Sequence, residues 1–156
     1  MQKFSKPSKG FAMDIKFVKY KDHAVAPVYA TEGSAGCDLR ACLKQEKTIA
    51  PAEIAIIDTG IGVEIPSGFF GMICSRSGMA LKYGVVVLNS PGIIDPDYRG
   101  EIRCILINHS SIPFVVENGM RIAQMIIVPF QSAKWIEEVG LSESGRGSGG
   151  FGSTGI

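Results

Sequence analysis

Residues 89–101, NSPGIIDPDYRGE, bring together side chains that could bind a base, a sugar and a water molecule. Asn89 offers an amide, Asp95 a carboxylate and Tyr98 an aromatic ring. An amide and exposed backbone groups can hydrogen-bond to a base edge, a ring can pack against a sugar, and a carboxylate can orient a water molecule. The sequence DPDY is also typical of a β-turn. The alternative interpretation is that Asp95 and Asp97 simply terminate a β-hairpin.

Residues 75–84, SRSGMALKYG, are the one stretch that predicts a helix. Arg76, Ser77 and Gly78 would present a guanidinium, a hydroxyl and backbone N–H groups to one point, which suits a phosphate. We expect Ser75 or Ser77 to cap this helix and the last glycine to end it. A plain helix cap beside a surface arginine is the alternative interpretation.

Three further polar residues stand among apolar neighbours. Arg121 and Gln124 interrupt the apolar stretch 121–130, where a strand buried on both faces would need partners for them. An edge strand with one wet face is the alternative. Asp38 is either a turn residue or a residue that holds a hydrated cation such as Mg²⁺, which prefers oxygen ligands and keeps several of its waters.

The glycine-rich segment 144–156, SGRGSGGFGSTGI, predicts a lid. Glycines let the backbone wrap closely around a ligand, and Phe151 can stack on a flat ring. Arg146, Ser153 and Thr154 can bind phosphate. A plain linker and an RNA-binding tail are the alternatives, although a single arginine on a chain of formal charge +1 would be a weak electrostatic tether.

Short strands separated by turns must position these groups, so the pattern predicts an all-β domain at residues 13–143. Alternation places Ile102, Cys104 and Leu106 on one face. Residues 1–12 form a loose extension in this interpretation, and 144–156 form a flexible arm. The predicted strands are 13–20, 53–65, 68–74, 84–89, 101–108, 112–116 and 121–130.

The composition is that of a globular protein with no strong global field. The chain has 156 residues, 46% of them hydrophobic, and a formal net charge of +1, so neither nucleic acid nor a membrane is an expected partner. No apolar run reaches the length of a membrane span or of a signal peptide. The four cysteines form no CxxC pair, and we interpret them as reduced thiols of a cytoplasmic protein.

Five stretches, in this order, resemble the five sequence motifs of the homotrimeric dUTPases: AGCDLRA, SRSGMALKYG, GIIDPDYRGEI, RIAQMI and RGSGGFGSTG. The resemblance covers residues 13–155. It implies a distorted jelly-roll-type β-barrel subunit with one short helix. It also implies a homotrimer with active sites shared between subunits, a C-terminal arm that closes over each site, and hydrolysis of dUTP to dUMP and pyrophosphate with Mg²⁺.

The resemblance also assigns roles to the nucleoside-binding residues. Asp95 would orient the water that attacks the α-phosphorus, and Tyr98 would pack under the deoxyribose and exclude a 2′-hydroxyl. Phe151 would stack on the uracil. The groups that recognise the uracil edge would be Asn89 and the backbone of Gly92, Ile93 and Ile94.

A second set of roles concerns the phosphates and the metal. Asp38 would contact a water bound to Mg²⁺ rather than the metal itself. Arg121 would support the site through Asp95 or the subunit interface. The phosphate-binding residues would be Arg76, Ser77, Gly78, Gln124, Arg146, Ser153 and Thr154.

Three other functions fit parts of the sequence. A dCTP deaminase shares the implied fold and needs a catalytic glutamate, for which Glu101 is the nearest candidate. A catalytically silent nucleotide sensor should have lost at least one of Asp95, Tyr98 and Phe151, all of which are present. An RNA-binding tail would leave nucleotide hydrolysis untouched when residues 145–156 are deleted.

Overall fold

The computed structural model describes residues 13–151 and residue 153. The predicted extension at residues 1–12 and the predicted phosphate ligand Thr154 lie outside the described residues. In the part that is described, the chain forms β-strands and one short helix. Their bounds are β1 Lys16–Lys19, β2 Val28–Tyr29, β3 Cys37–Arg40, β4 Lys47–Ile49, β5 Ile54–Asp58, β6 Ile61–Glu64, β7 Phe69–Cys74, α1 Ser77–Tyr83, β8 Val85–Val87, β9 Gly92–Ile94, β10 Arg103–Asn108, β11 Phe114–Val116 and β12 Arg121–Pro129.

Among the described residues all strand pairs are antiparallel, and they divide into four sheets. The largest sheet has the order β2-β3-β12-β7-β9, and a second has the order β5-β10-β8. Two-stranded sheets join β1 to β6 and β4 to β11. The predicted all-β class with one short helix is confirmed.

One hydrophobic core lies beneath the two larger sheets. Leu39 and Met125 come from the five-stranded sheet and Ile57 and Leu106 from the three-stranded sheet, and all four are buried in the same cluster. Strand β10 follows the predicted alternation, because Ile102, Cys104 and Leu106 are buried while Arg103 between them is exposed. Burial of this apolar surface is the main favourable contribution to folding.

The predicted hairpin around DPDY is wrong, although the turn itself is present. The backbone N–H of Tyr98 donates to the carbonyl oxygen of Asp95 at 3.1 Å. Strand β9 pairs with β7 in the five-stranded sheet, whereas β8 and β10 pair with each other in the three-stranded sheet. Residues 95–102 therefore cross between the sheets instead of joining two paired strands.

The edge-strand alternative for residues 121–130 is also wrong, because β12 lies between β3 and β7. Ile122, Ala123 and Met125 are buried, while Arg121 is exposed and Gln124 is half-buried. A register shift between Arg121 and Ala123 allows two consecutive residues to face the core. The two polar residues are tolerated in a central strand because both have polar partners, described below.

Helix α1 differs from the prediction at its beginning and agrees with it at its end. The N-cap is Arg76, without a side-chain cap, and the Ser75 hydroxyl instead accepts the Val87 N–H at 2.9 Å. Gly84 ends the helix in the left-handed region with φ of 65°, a conformation that favours glycine. Within the described part of the chain, no helix has the length and apolar character needed to cross a bilayer.

Candidate active site

A cavity of about 280 Å³ lies where β9 leaves the five-stranded sheet, and we call it the β9 cavity. It collects every residue that the sequence assigned to the water, the sugar and the uracil edge. Glu101 and Arg103 also line it. The sequence had offered Glu101 only as the glutamate of the deaminase alternative, and it gave no sign of a site role for Arg103. The predicted residues in its lining are Asn89, Gly92, Ile93, Ile94, Asp95 and Tyr98.

Pairing of β9 with β7 sets the floor of the β9 cavity. Gly92 lies opposite Ile73 and is buried against Asn89. A Cβ atom at position 92 would lie 3.1 Å from Asn89 Nδ2, so a larger residue would press on the amide. The side chain of Asn89 is exposed and so can reach a ligand. The glycine therefore has a positional role, because it keeps room for the amide.

The turn after β9 holds the carboxylate and the ring at the mouth of this cavity. Asp95 is exposed, and Tyr98 is 40% exposed. The Tyr98 hydroxyl donates to the carbonyl oxygen of Glu101 at 3.0 Å, which ties the ring to its own turn. Tyr98 also covers Gly100 so closely that a Cβ atom there would collide with the phenol. The absence of a side chain at position 100 thus sets the ring position.

Glu101 is committed to structural contacts. One carboxylate oxygen, Oε1, accepts the Gly60 N–H at 2.6 Å and lies 3.5 Å from Lys21 Nζ. A deaminase would need a glutamate free to exchange protons with its substrate. The arrangement around Glu101 therefore gives the dCTP deaminase alternative no support.

A second cavity, of about 350 Å³, contains Asp38 and those residues assigned to the phosphates that lie outside the C-terminal arm, and we call it the phosphate cavity. It shares no lining residue with the β9 cavity. One chain therefore presents the two halves of the predicted site in separate cavities. The predicted residues in its lining are Asp38, Arg76, Ser77, Gly78, Arg121 and Gln124.

Asp38 pairs with both arginines of the phosphate cavity. Its Oδ1 lies 3.0 Å from Arg76 Nε and its Oδ2 lies 3.2 Å from Arg121 Nη1. Arg76 Nη1 also donates to the carbonyl oxygen of Arg121 at 3.2 Å. The carboxylate partner of Arg121 within the described chain is thus Asp38. Two guanidiniums against one carboxylate leave an excess of positive charge, which suits a triphosphate.

Gln124 connects strand β12 to the loop before the helix. Its Nε2 donates to the carbonyl oxygen of Ser75 at 3.1 Å. On its other side lies Gly36, where a Cβ atom would be 2.8 Å from Gln124 Oε1. Gln124 pairs in register with both Asp38 and Cys74, and its side chain lines the phosphate cavity.

The residues around Asp38 fit a magnesium ion that arrives bound to a triphosphate, but not one held by protein side chains alone. Among the described residues, no group of three or more His, Cys, Asp or Glu side chains could hold a metal ion. Asp38 is the single carboxylate lining the phosphate cavity, and guanidiniums flank both of its oxygens. This donor set suits Mg²⁺ that enters with a triphosphate and keeps several waters, since Mg²⁺ is commonly held through few carboxylates plus substrate phosphates.

The predicted arm residues lie apart from both cavities. Arg146, Phe151 and Ser153 line neither of them. Arg146 Nε donates to the carbonyl oxygen of Gly149 at 2.7 Å, and the Phe151 side chain is fully exposed. The segment before the arm also carries uncovered hydrophobic side chains, each at least 71% exposed. These residues are Trp135, Ile136, Val139 and Leu141.

Comparisons with known proteins agree on one family. The family model described as dUTPase matches residues 22–155, which is most of the chain. The deoxyuridine 5′-triphosphate nucleotidohydrolase of Rickettsia rickettsii is 55% identical over 130 residues, covering 83% of this chain and 88% of that protein. The protein of the same name from Rickettsia akari is likewise 55% identical, with the same coverage.

Solved structures share the same architecture. The Staphylococcus bacteriophage 80alpha dUTPase with dUpNHpp superposes with a TM-score of 0.81 at 26% identity, covering 93% of this chain and all of that one. The D95N mutant of the phage phi11 dUTPase, described with a structural Mg(II) ion, has a TM-score of 0.77 at 21% identity and shows the fold alone. The predicted jelly-roll-type fold is confirmed by this likeness.

Proposed function

This chain belongs to the dUTPase family and is a dUTP diphosphatase, and we propose that Asp95 orients the water that attacks the α-phosphorus of dUTP. The observation that carries the proposal is the β9 cavity, which gathers Asn89, Asp95 and Tyr98 at its lining. A carboxylate, an amide and a ring at one mouth match the three parts of a nucleoside monophosphate: reacting phosphorus, base and sugar.

Substrate selection follows from the β9 cavity. Asn89 and the backbone of 92–94 hydrogen-bond to the uracil edge, and the close packing of Asn89 on Gly92 limits space near the base. Thymine is excluded by its methyl group, and cytosine leaves hydrogen-bonding groups unpaired, the costlier mismatch. Tyr98 packs under the deoxyribose and leaves no room for a 2′-hydroxyl.

The reaction needs no covalent nucleophile. The water oxygen forms a bond to the α-phosphorus, the bond from that phosphorus to the bridging oxygen breaks, and pyrophosphate leaves. The water proton passes toward the exposed Asp95 carboxylate, whose main contribution is to aim the water. Arg76 and Arg121 stabilise the negative charge of the phosphates, with Ser77, Gly78 and Gln124 as hydrogen-bonding partners.

Magnesium is the proposed cofactor, and it neutralises charge on the phosphate oxygens when bound. Asp38 would hold one of its waters while keeping the two arginines in place. Both roles of Asp38 are supported by the phosphate cavity, where it is the single lining carboxylate among the described residues and pairs with two guanidiniums.

The proposed assembly is a homotrimer in which each active site combines the β9 cavity of one subunit with the phosphate cavity of another. The separation of the cavities and the uncovered hydrophobic side chains around Trp135 support it. Sedimentation should give three subunits at working concentration. Trp135 is the sole tryptophan, so its fluorescence should shift to the red when dilution dissociates the assembly. A monomer at working concentration would contradict the shared site.

The remaining parts of the chain complete the proposal. In this proposal residues 13–143 are the catalytic domain, 1–12 an N-terminal extension, and 144–156 a lid that closes over the bound substrate. In the closed lid Phe151 stacks on uracil while Arg146, Ser153 and Thr154 contact the terminal phosphates. The four unpaired thiols support a cytoplasmic, reducing location. We propose no stable nucleic-acid partner, in keeping with the formal charge of +1.

The decisive experiment measures pyrophosphate release from dUTP, dCTP, dTTP and UTP with Mg²⁺. We expect release from dUTP alone, and Asp95→Asn should lower it by at least about 100-fold. Asp97→Asn is the matched control, because it removes a carboxylate from the same turn that does not line the β9 cavity. Equal loss in both variants would remove the special role of Asp95, and release from several nucleotides would remove the proposed base selection.

A further inference from the structure

Lys21 lies between two carboxylates at the base of the turn that carries Asp95 and Tyr98. Its Nζ is 2.5 Å from Asp58 Oδ2 and 3.5 Å from Glu101 Oε1. The side chain of Lys21 is only 30% exposed and that of Glu101 only 21% exposed. This partly buried group belongs neither to the water-orienting residues nor to the phosphate-binding residues proposed above.

Glu101 connects this ion group to the sugar-binding ring. Its side chain accepts the Gly60 N–H at 2.6 Å and faces Lys21, while its backbone carbonyl oxygen accepts the Tyr98 hydroxyl at 3.0 Å. A displacement of Glu101 would therefore move the acceptor that orients the Tyr98 ring. Glu101 also lines the β9 cavity. Lys21 is therefore linked to the candidate active site through a single intervening residue.

The residue before Lys21 secures the other side of the same turn. The Tyr20 hydroxyl donates to the carbonyl oxygen of Arg99. The Tyr20 ring lies over Gly62, where a Cβ atom would be 2.6 Å from the ring carbon Cε2. Tyr20 and Lys21, which directly follow β1, thus contact two residues of this region: Tyr20 contacts Arg99, and Lys21 contacts the carboxylate of Glu101.

The positive charge of the Lys21 ammonium allows the carboxylates of Asp58 and Glu101 to lie close to the same point. The hydrogen bond to Asp58 raises the pKa of Lys21, and the charges of Asp58 and Glu101 raise it further, although burial opposes them. Lys21 is therefore charged at neutral pH. Without it, Asp58 and Glu101 would lose their shared cation, and mutual repulsion would favour movement of Glu101 away from its present position.

We propose that Lys21 is a positioning residue that fixes the sugar-binding turn through Glu101 and thereby sets discrimination between deoxyribose and ribose triphosphates. The proposal rests on the proposed function, in which Tyr98 packs against the sugar. Lys21 touches neither substrate nor reacting atoms. Its effect is transmitted by Glu101 to the Tyr98 ring.

A purely structural role for Lys21 predicts a different result. Loss of folded protein lowers the active fraction, and this scales the rates with dUTP and UTP equally. Movement of Tyr98 changes the ratio of kcat/KM for dUTP to kcat/KM for UTP, which is independent of the active fraction. That ratio is therefore the measurement that separates the two roles.

The experiment compares Lys21→Met with Lys16→Met by measuring kcat/KM for dUTP and for UTP. Lys16 is a matched control on the adjoining strand β1, because it also pairs with a carboxylate, Glu64 at 3.2 Å, but is 79% exposed in its side chain. We expect the dUTP to UTP ratio to fall by about 10-fold in Lys21→Met. It should stay unchanged in Lys16→Met and recover in part in Lys21→Arg, which restores a cation.

Each outcome has a separate meaning. If the wild-type protein does not prefer dUTP to UTP, the proposed packing of Tyr98 against the sugar fails, and the role of Lys21 in discrimination is overturned with it. If the wild type discriminates and Lys21→Met keeps the same ratio, the positioning role is overturned. Should Lys21→Met not fold, Lys21→Gln gives the same test, since it lacks the charge but retains a donor for Asp58. An unchanged ratio in that variant overturns the proposal equally.

Discussion

Asp38 of strand β3 and Arg76 at the N-cap of α1 form an ion pair with Oδ1 and Nε 3.0 Å apart. The pair joins two stretches that had been assigned separate tasks, one to the metal and one to the phosphates. Because Asp38 also reaches Arg121, a single carboxylate holds both guanidiniums of the phosphate cavity. The proposed phosphate-binding groups are thus arranged before any ligand enters, which would lower the entropic cost of binding.

Asp38→Asn should weaken catalysis by loosening both arginines. Asparagine keeps an acceptor oxygen but loses the negative charge, so we expect kcat/KM for dUTP to fall by about 10-fold or more. The half-saturating Mg²⁺ concentration should rise, because a water-holding carboxylate is lost. Glu64→Gln is the control, since it removes a carboxylate from an exposed pair. Identical kinetics for wild type and Asp38→Asn would show that the pairing has no part in binding.

Gly100→Ala should displace the Tyr98 ring. A Cβ atom at position 100 collides with the phenol, so the ring must move and its hydrogen bond to Glu101 must weaken. We expect kcat/KM for dUTP to fall by roughly 10- to 100-fold, with weaker rejection of UTP. Gly33→Ala is a fitting comparison, because an added Cβ atom meets nothing within 4 Å there. If both variants behave alike, the space over Gly100 does not control the ring.

Phe151→Ala should raise KM for dUTP. The Phe151 side chain is fully exposed in the ligand-free chain, so its ring buries no apolar surface there. The substitution should therefore leave thermal stability unchanged. Loss of one aromatic stacking partner corresponds to about 10-fold weaker binding. Truncation after Ser144 should lower activity further, because Arg146 and Ser153 are also removed. Near-full activity after truncation would contradict the role of the arm as a lid.

Alkaline pH should destabilise the fold through Cys104. Burial raises the pKa of the Cys104 thiol from 9.0 to about 12. The unfolded chain therefore loses this proton first as pH rises above 9.0, and folding stability falls from there until about pH 12. Between pH 8.5 and 10 the free energy of unfolding should fall by about 1 kcal/mol more in the wild type than in Cys104→Ala. Urea unfolding at both pH values measures the difference, and equal losses would contradict the assignment.

Local patterns in the sequence were sufficient for much of the fold. Alternation in 101–108 predicted which residues of β10 face the core, because each side chain of a strand points opposite to the next. Gly84 ended the helix as expected, since the left-handed conformation at that point favours glycine. Strands β2 and β4 were missed, because two and three residues are too few to show a period. The equally short β8 was predicted from its run of valines.

Non-local pairing explains the rest of the disagreement. The stretch containing DPDY predicted a turn correctly, but the choice of β7 as the partner of β9 depends on residues distant in sequence. The partnership of Asp38 with Arg121 spans 83 residues and has no local signal. The ion pair of Lys21 with Glu101 likewise has no local signal, because the two residues belong to no common sequence motif. The motif residues outside the C-terminal arm did cluster in two cavities, whereas Arg146, Phe151 and Ser153 line neither, and the individual roles of all of them remain predictions.

If the proposed trimer forms the active site, separation of the two cavities within one chain would link activity to the amount of protein in the cell. On the proposed assembly, a newly synthesised subunit carries a nucleoside half-site and a phosphate half-site that do not complete each other. Such a subunit is silent until partners are abundant enough to associate. At low expression, output should therefore rise more steeply than in direct proportion to subunit number, so a modest change in gene dosage would be amplified in nucleotide clearance.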